Sequence, residues 1–97
     1  MTIDFGSSAK SKMLMVDNGT SVFDALNSSS TVNYKEFAGM GKMIIAIDSV
    51  PQNNTHYWIY FVNGNFAGVA ADKFVLTKDS TVEFLFIKSD IAMSYFK

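Results

Sequence analysis

Tyr57-Trp58-Ile59-Tyr60-Phe61-Val62-Asn63-Gly64 is the stretch on which the fold turns. Six residues of high strand propensity run directly into Asn-Gly, the strongest short hairpin signal. Both alternating sets are apolar: Trp58, Tyr60 and Val62 on one pleat face, Tyr57, Ile59 and Phe61 on the other. Such a strand is expected to be central, with a layer packed on each side. It also holds the chain's one Trp and two of its four Tyr. The same rings are therefore candidates for core and for a ligand platform.

Outward from this strand, Thr81 to Lys88 reads as a second strong strand. Lys42 to Asp48 is a third, expected to be buried on both faces in its middle, and Thr31 to Phe37 is a modest one. At the start, Thr2-Ile3-Asp4-Phe5, the turn Gly6-Ser7-Ser8 and Lys12-Met13-Leu14-Met15-Val16 form a hairpin pattern. One helix is signalled, over about residues 21–27. Ser21 can cap it, Asp24 stands three residues on as a capping-box variant, and Val22, Phe23 and Leu26 share a face. Pro51 to Thr55 reads as a loop, Phe66 to Val69 as a short strand or irregular arm, and Thr77 to Ser80 as a turn. Ile91 to Phe96 reads as a last edge strand or a docked tail. The sum is α+β: a β-grasp-like mixed sheet with one short helix after an N-terminal hairpin.

A chain of 97 residues, 48% hydrophobic, is expected to form a single domain over residues 1–97. At this size roughly 60–70% of the unfolded surface must be buried, so most apolar residues are needed inside. Eight Lys, no Arg and a net charge of −1 give no basic stripe, which argues against nucleic acid as a partner. No apolar run approaches the ~20 residues that span a bilayer, so no membrane insertion is expected in this segment. Met1 to Gly6 lacks the charged start and apolar block of a signal peptide. Absence of Cys removes disulfides, thiolate metal sites and Cys nucleophiles, and fits either redox compartment.

Nothing in the spacing of reactive side chains suggests catalysis, and no catalytic or metal residues are assigned. His56 is the one His, and a lone imidazole without Cys or a local acidic cluster does not make a zinc site. It reads as a surface-loop residue. Asp48, Asp72, Asp79 and Glu83 read as solvated carboxylates at turns and strand ends. Gly39-Met40-Gly41 has neither the third Gly nor the helix start of a phosphate loop. Asn18, Asn27 and Asn53 each open an Asn-X-Ser/Thr triplet in a turn or loop, which permits surface glycosylation in a suitable host.

The order of several segments resembles a known family. Thr2 to Gly6, Asn18 to Leu26, Ile47 to Val50, Tyr57 to Gly64, Gly68 to Asp72 and Lys78 to Phe84 succeed one another as in the transcobalamin C-terminal-like domain. The resemblance covers about residues 2–88. It implies a β-grasp-like fold, an extracellular or cell-surface location, and cobalamin as a ligand held against a second, helical domain. The ligand-facing part would be the strand around Trp58 and Tyr60 and the segment containing Phe66, Gly68 and Val69. Two positions depart from the family: Ala67 stands where the vertebrate carriers have Gln, and Asp79-Ser80-Thr81 replaces an Asp-Gly-Asp turn. No cofactor beyond such a ligand is expected.

The chain is thus expected to be a non-enzymatic binding module. Its partner would be a small molecule, covered on one face by an aromatic platform of Trp58, Tyr60 and Phe66 together with another domain, or a protein. The alternative is a structural module of a surface protein that associates through sheet edges, with Ile91 to Phe96 as the edge.

Overall fold

The computed structural model describes residues 1–11, 13, 18–77 and 80–95. An N-terminal hairpin joins β1 (Thr2–Asp4) to β2 (Ala9–Ser11), and α1 (Val22–Asn27) comes next. Then come β3 (Val32–Phe37), β4 (Gly41–Ile47), β5 (Val50–Pro51), β6 (His56–Val62) and β7 (Asn65–Phe66). A 3-10 turn (Ala71–Lys73), β8 (Val82–Lys88) and α2 (Ser89–Tyr95) complete the chain. The fold is α+β as expected: the mixed sheet is β2-β1-β8-β6-β7, and a second sheet, β3-β4-β5, stands beside it. In the larger sheet β1 runs parallel to β8 and the other pairs are antiparallel.

The sequence signals account for most of this. Asn63 and Gly64 take φ of 51° and 81°, the left-handed pair that a two-residue hairpin between β6 and β7 requires. The Asn63 side chain also accepts the Thr81 N–H at 2.9 Å, tying this turn to the start of β8. Ser21 caps α1 as its sequence foretold: its hydroxyl accepts the Asp24 N–H at 3.1 Å. The helix is only six residues long and depends on packing. Val22, Phe23, Ala25 and Leu26 are buried against Ile3, Trp58, Tyr60, Val62 and Phe84 of the larger sheet and Ile47 of the smaller one.

Several expectations are corrected. The second hairpin strand is Ala9–Ser11; the segment expected there, Lys12 to Val16, lies outside the described residues apart from an exposed Met13. Lys78 and Asp79 of the expected turn before β8 likewise lie outside them. The middle of β4 is not buried on both faces. Met43 and Ile45 are 40% and 37% exposed, while Ala46 and Ile47 are buried. Pro51 belongs to β5, opposite Ala46, at an edge where its missing N–H costs no ladder bond. His56 is the first residue of β6, half-buried and stacked on Phe86 at 5.1 Å, not a loop residue.

The largest correction concerns Ile91 to Phe96. Residues Ser89–Tyr95 are helical, and Phe96 lies outside the described residues. The alternation of Ile91, Met93 and Tyr95 imitates a strand, yet these are the exposed residues at 43–56%, and Ala92 between them is fully buried. The helix lays Ala92 toward the outer face of β6 and β8. It sets Tyr95 against Phe61 and Phe66, both at 5.3 Å. Ile59 is thereby buried on the face opposite Trp58. A layer on each side of β6 is therefore present, as its double apolar pattern requires.

The two sheets are held together by more than the core. Asp48, in the turn between β4 and β5, pairs with Lys10 of β2 and accepts the Thr31 N–H. Partial burial opposes ionisation of Asp48, but Lys10 and the Thr31 N–H outweigh it and hold its carboxyl below the usual value. Asp72, read from sequence as a solvated carboxylate, is a structural link. Its Oδ1 accepts the Lys42 N–H at 2.9 Å and fixes the 3-10 turn to the start of β4. That approach needs Gly41, whose φ is +101°; a Cβ there would lie 2.5 Å from Asp72 Oδ1 and 3.0 Å from Ala70 Cβ. Gly41→Ala is expected to lower stability by roughly 2 kcal/mol or more. Gly39→Ala carries the same sign of φ, +77°, but meets nothing within 4 Å, and is expected to cost about 1 kcal/mol. Urea denaturation of the two variants checks the difference.

Candidate functional site

β6 is paired to β8 along its whole length, but β7 covers only Phe61 and Val62 on the other flank. Beyond Phe66 the chain leaves the sheet as an arm, residues 67–70, and enters the 3-10 turn. The gap so created between the two sheets is a cavity of about 520 Å³. Its floor is Trp58, Ile59 and Tyr60 of β6 with Phe84 of β8. One wall is Lys42, Met43 and Ile44 of β4, with Gly39 and Met40 from the turn before it. The other wall is the arm from Phe66 to Ala71, with Lys73 and Gln52 at the margins. A volume in the range of roughly 300–1,000 Å³, with mostly apolar walls, is that of a small-molecule site.

Trp58, Tyr60, Phe66, Gly68 and Val69 all line this one cavity. They do not form the exposed platform expected of them. Trp58 and Tyr60 are 8% and 7% exposed and belong to the core. Phe66 is paired with Phe61, so it lies on the opposite face from Trp58 and stacks on Tyr95. A flat surface of these three rings is excluded by strand alternation. What the five residues share is the uncovered flank of β6. Val69, half-exposed, and Met40, more exposed still, stand at the mouth.

Hydrogen bonds hold the walls. The Trp58 indole N–H donates to the Val50 carbonyl at 2.9 Å, joining β6 to β5 across the sheets. The Tyr60 hydroxyl donates to the Val69 carbonyl at 2.6 Å, pinning the arm over the floor. Burial, and secondarily the nearby Asp72 carboxylate, push the Tyr60 phenol well above its ordinary value of 10.0. The phenol therefore keeps the proton that it gives to Val69. The Lys42 ammonium lies 4.8 Å and 5.0 Å from the Phe23 and Tyr34 rings, so its stem lines the cavity while its charge is engaged elsewhere.

Sequence reasoning missed the β4 wall, Asp72 and the Met40 lip. The one available sign was Gly39-Met40-Gly41, whose glycines mark the turn that brings β4 against the arm. Among the described residues, no group of three or more His, Cys, Asp or Glu could hold a metal ion.

Tyr60→Phe is expected to cost about 1–2 kcal/mol, since the Val69 carbonyl loses its donor. The arm's amides should also exchange faster. Because the folded Tyr60 pKa is raised, its contribution is complete below about pH 10. It declines as pH rises further, where the unfolded chain releases the proton first. The stability gap between the native chain and Tyr60→Phe should thus narrow above about pH 10, as urea titrations at neutral and alkaline pH will show.

Comparison with solved structures supports the fold. A crystal structure of a candidate metal binding protein from Ruminococcus gnavus ATCC 29149 superposes with a TM-score of 0.79 at 15% identity. The match covers 91% of this chain and 93% of that one. No curated protein matches the chain. The model of the family described as a domain of unknown function, DUF4430, matches residues 19–88. The chain belongs to the DUF4430 family.

Proposed function

We propose that residues 1–97 form one non-enzymatic binding module that takes an apolar small ligand beside β6. The observation that carries this reading is the cavity itself, which gathers Trp58, Tyr60, Phe66, Gly68 and Val69 around about 520 Å³ of mostly apolar space. Its walls are tied by the Trp58 and Tyr60 hydrogen bonds, so a ligand meets a preformed site. The solved neighbour is described as a metal binder, but the chemistry of this cavity favours an organic ligand over an ion. The resemblance to transcobalamin domains supports a location outside the cell or on its surface, and a corrinoid as one ligand. A corrinoid is much larger than this cavity. Only part of it would enter, and the remainder would lie against a second domain or chain.

Association through sheet edges is the second reading. Its proposed edge, Ile91 to Phe96, is helical where described, so the reading now rests on β2, an edge strand exposed throughout.

A neutral fluorescent naphthylamine is expected to brighten on binding the native chain. Met40→Asp and Val69→Asp alter exposed residues at the mouth. Each should weaken that binding about tenfold while shifting unfolding by no more than about 0.5 kcal/mol. Added cobalamin should compete and change its own absorption spectrum. No brightening and no heat at high probe concentration would overturn the reading.

A further inference from the structure

The floor of the cavity has a polar seam. Residues alternate in a strand, and the backbone groups of every second residue point to the same flank. On the flank of β6 away from β8, the His56 carbonyl accepts the Asn53 N–H at 3.0 Å, and the Tyr60 carbonyl accepts the Ala67 N–H at 3.1 Å. Val62, two residues further on, pairs with Asn65. The same alternation directs the Trp58 N–H, the Trp58 carbonyl and the Tyr60 N–H to this flank. Among the described residues none of these has a backbone or side-chain partner, and both residues are more than nine-tenths buried. The ladder that β7 begins stops one bond short, because the arm gives Tyr60 a donor and then turns away. Trp58 and Tyr60 line the cavity, so the unused edge opens into it.

Buried backbone groups are almost always paired, so an unpaired stretch of strand inside an apolar cavity marks where a partner belongs. The order donor, acceptor, donor is that of a strand awaiting its neighbour. Building on the reading of the cavity as a ligand site, we infer that it recognises an extended apolar peptide unit, an amino-acid residue flanked by an amide on each side. That residue donates its N–H to the Trp58 carbonyl and accepts the Trp58 N–H at its own carbonyl, the reciprocal pair of an antiparallel ladder. Apolar groups on either side fill the space bounded by Ile44, Met40 and Ala71. A hydrocarbon alone would leave the seam unpaired, and an ester would supply an acceptor but no donor. A lone amide turns its N–H and C=O in opposite directions and can make only one of the two bonds.

The test is a titration of isotope-labelled native chain monitored by NMR. Its ligands are N-acetyl-leucine methylamide, its counterpart in which an ester oxygen replaces the leucine N–H, and N-benzylhexanamide, whose single amide can make one of the two bonds but not both. The leucine diamide should move the Trp58 N–H resonance downfield and slow its exchange with solvent. The ester and the single amide should each bind about tenfold or more weakly than the diamide. Equal affinity of the diamide and the ester, equal affinity of the diamide and the single amide, or a Trp58 resonance that stays unmoved at high diamide concentration would overturn it. Naphthylamine brightening is independent of the seam. Its persistence alongside a failed amide test would leave the cavity as an apolar site and remove only this inference.

Discussion

The ladder between β6 and β8 is the constraint from which the other elements take their places. It runs from His56 opposite Lys88 to Val62 opposite Val82 without interruption. Strand alternation then places Trp58 beside Phe86 and Tyr60 beside Phe84 on one face, with Ile59 beside Leu85 on the other. The ring pairs on the first face lie 4.9 Å and 5.2 Å apart. Cross-strand aromatic pairs of this kind stabilise a sheet by about 0.2–1 kcal/mol each beyond a small-residue pair. The apolar surface on both faces then demands a layer on each, and α1 and α2 supply them. β1 extends the sheet in parallel on the far side of β8.

The cavity is the consequence of β6 having a full partner on one flank only. A two-residue turn returns β7 alongside Val62 and Phe61, but the arm must then reach β4. The Asp72 carboxylate and the side-chain-free backbone of Gly41 meet there. Divergence of the arm from β6 opens the space, and the Tyr60 hydroxyl limits how far it opens. The same residues therefore serve stability and enclosure. Burial of Trp58 and Tyr60 is how the site acquires a floor.

How much of this could be read in the sequence depended on whether a signal was local. The capped turn of helix at Ser21 and the Asn63-Gly64 hairpin are fixed by residues adjacent in the chain, and both stand where their chemistry puts them. The strands of β6 and β8 announce themselves by composition. Ile91 to Tyr95 misled because three apolar residues at alternate positions fit a strand, whereas the decisive residue was Ala92, too small to register as a core signal. Met43 and Ile45 misled for a different reason: whether an apolar strand is covered on both faces depends on elements distant in sequence. Of the site, the β6 floor could be found from the aromatic run, and the arm from Phe66 to Val69 just beyond the Asn63-Gly64 turn. The β4 wall is brought in by Asp72, thirty residues away from Lys42, and no local pattern encodes that pairing.

The arrangement also separates fold from ligand in a physically sensible way. A domain of this size needs Trp58 and Tyr60 inside, so these rings are not free to form an exposed binding face. Recognition can still arise at a place where burial is complete but hydrogen bonding is not. The flank of β6 between Asn53 and Ala67 has that character: apolar walls, an arm pinned at the Val69 carbonyl, and a backbone seam with no partner among the described residues. A β7 that continued along this flank would pair these groups within the chain and leave no seam. Local departures from full pairing collect where a protein is built to meet something else. The early departure of β7 is what leaves this flank of β6 open, and it is here that the proposed ligand would lie.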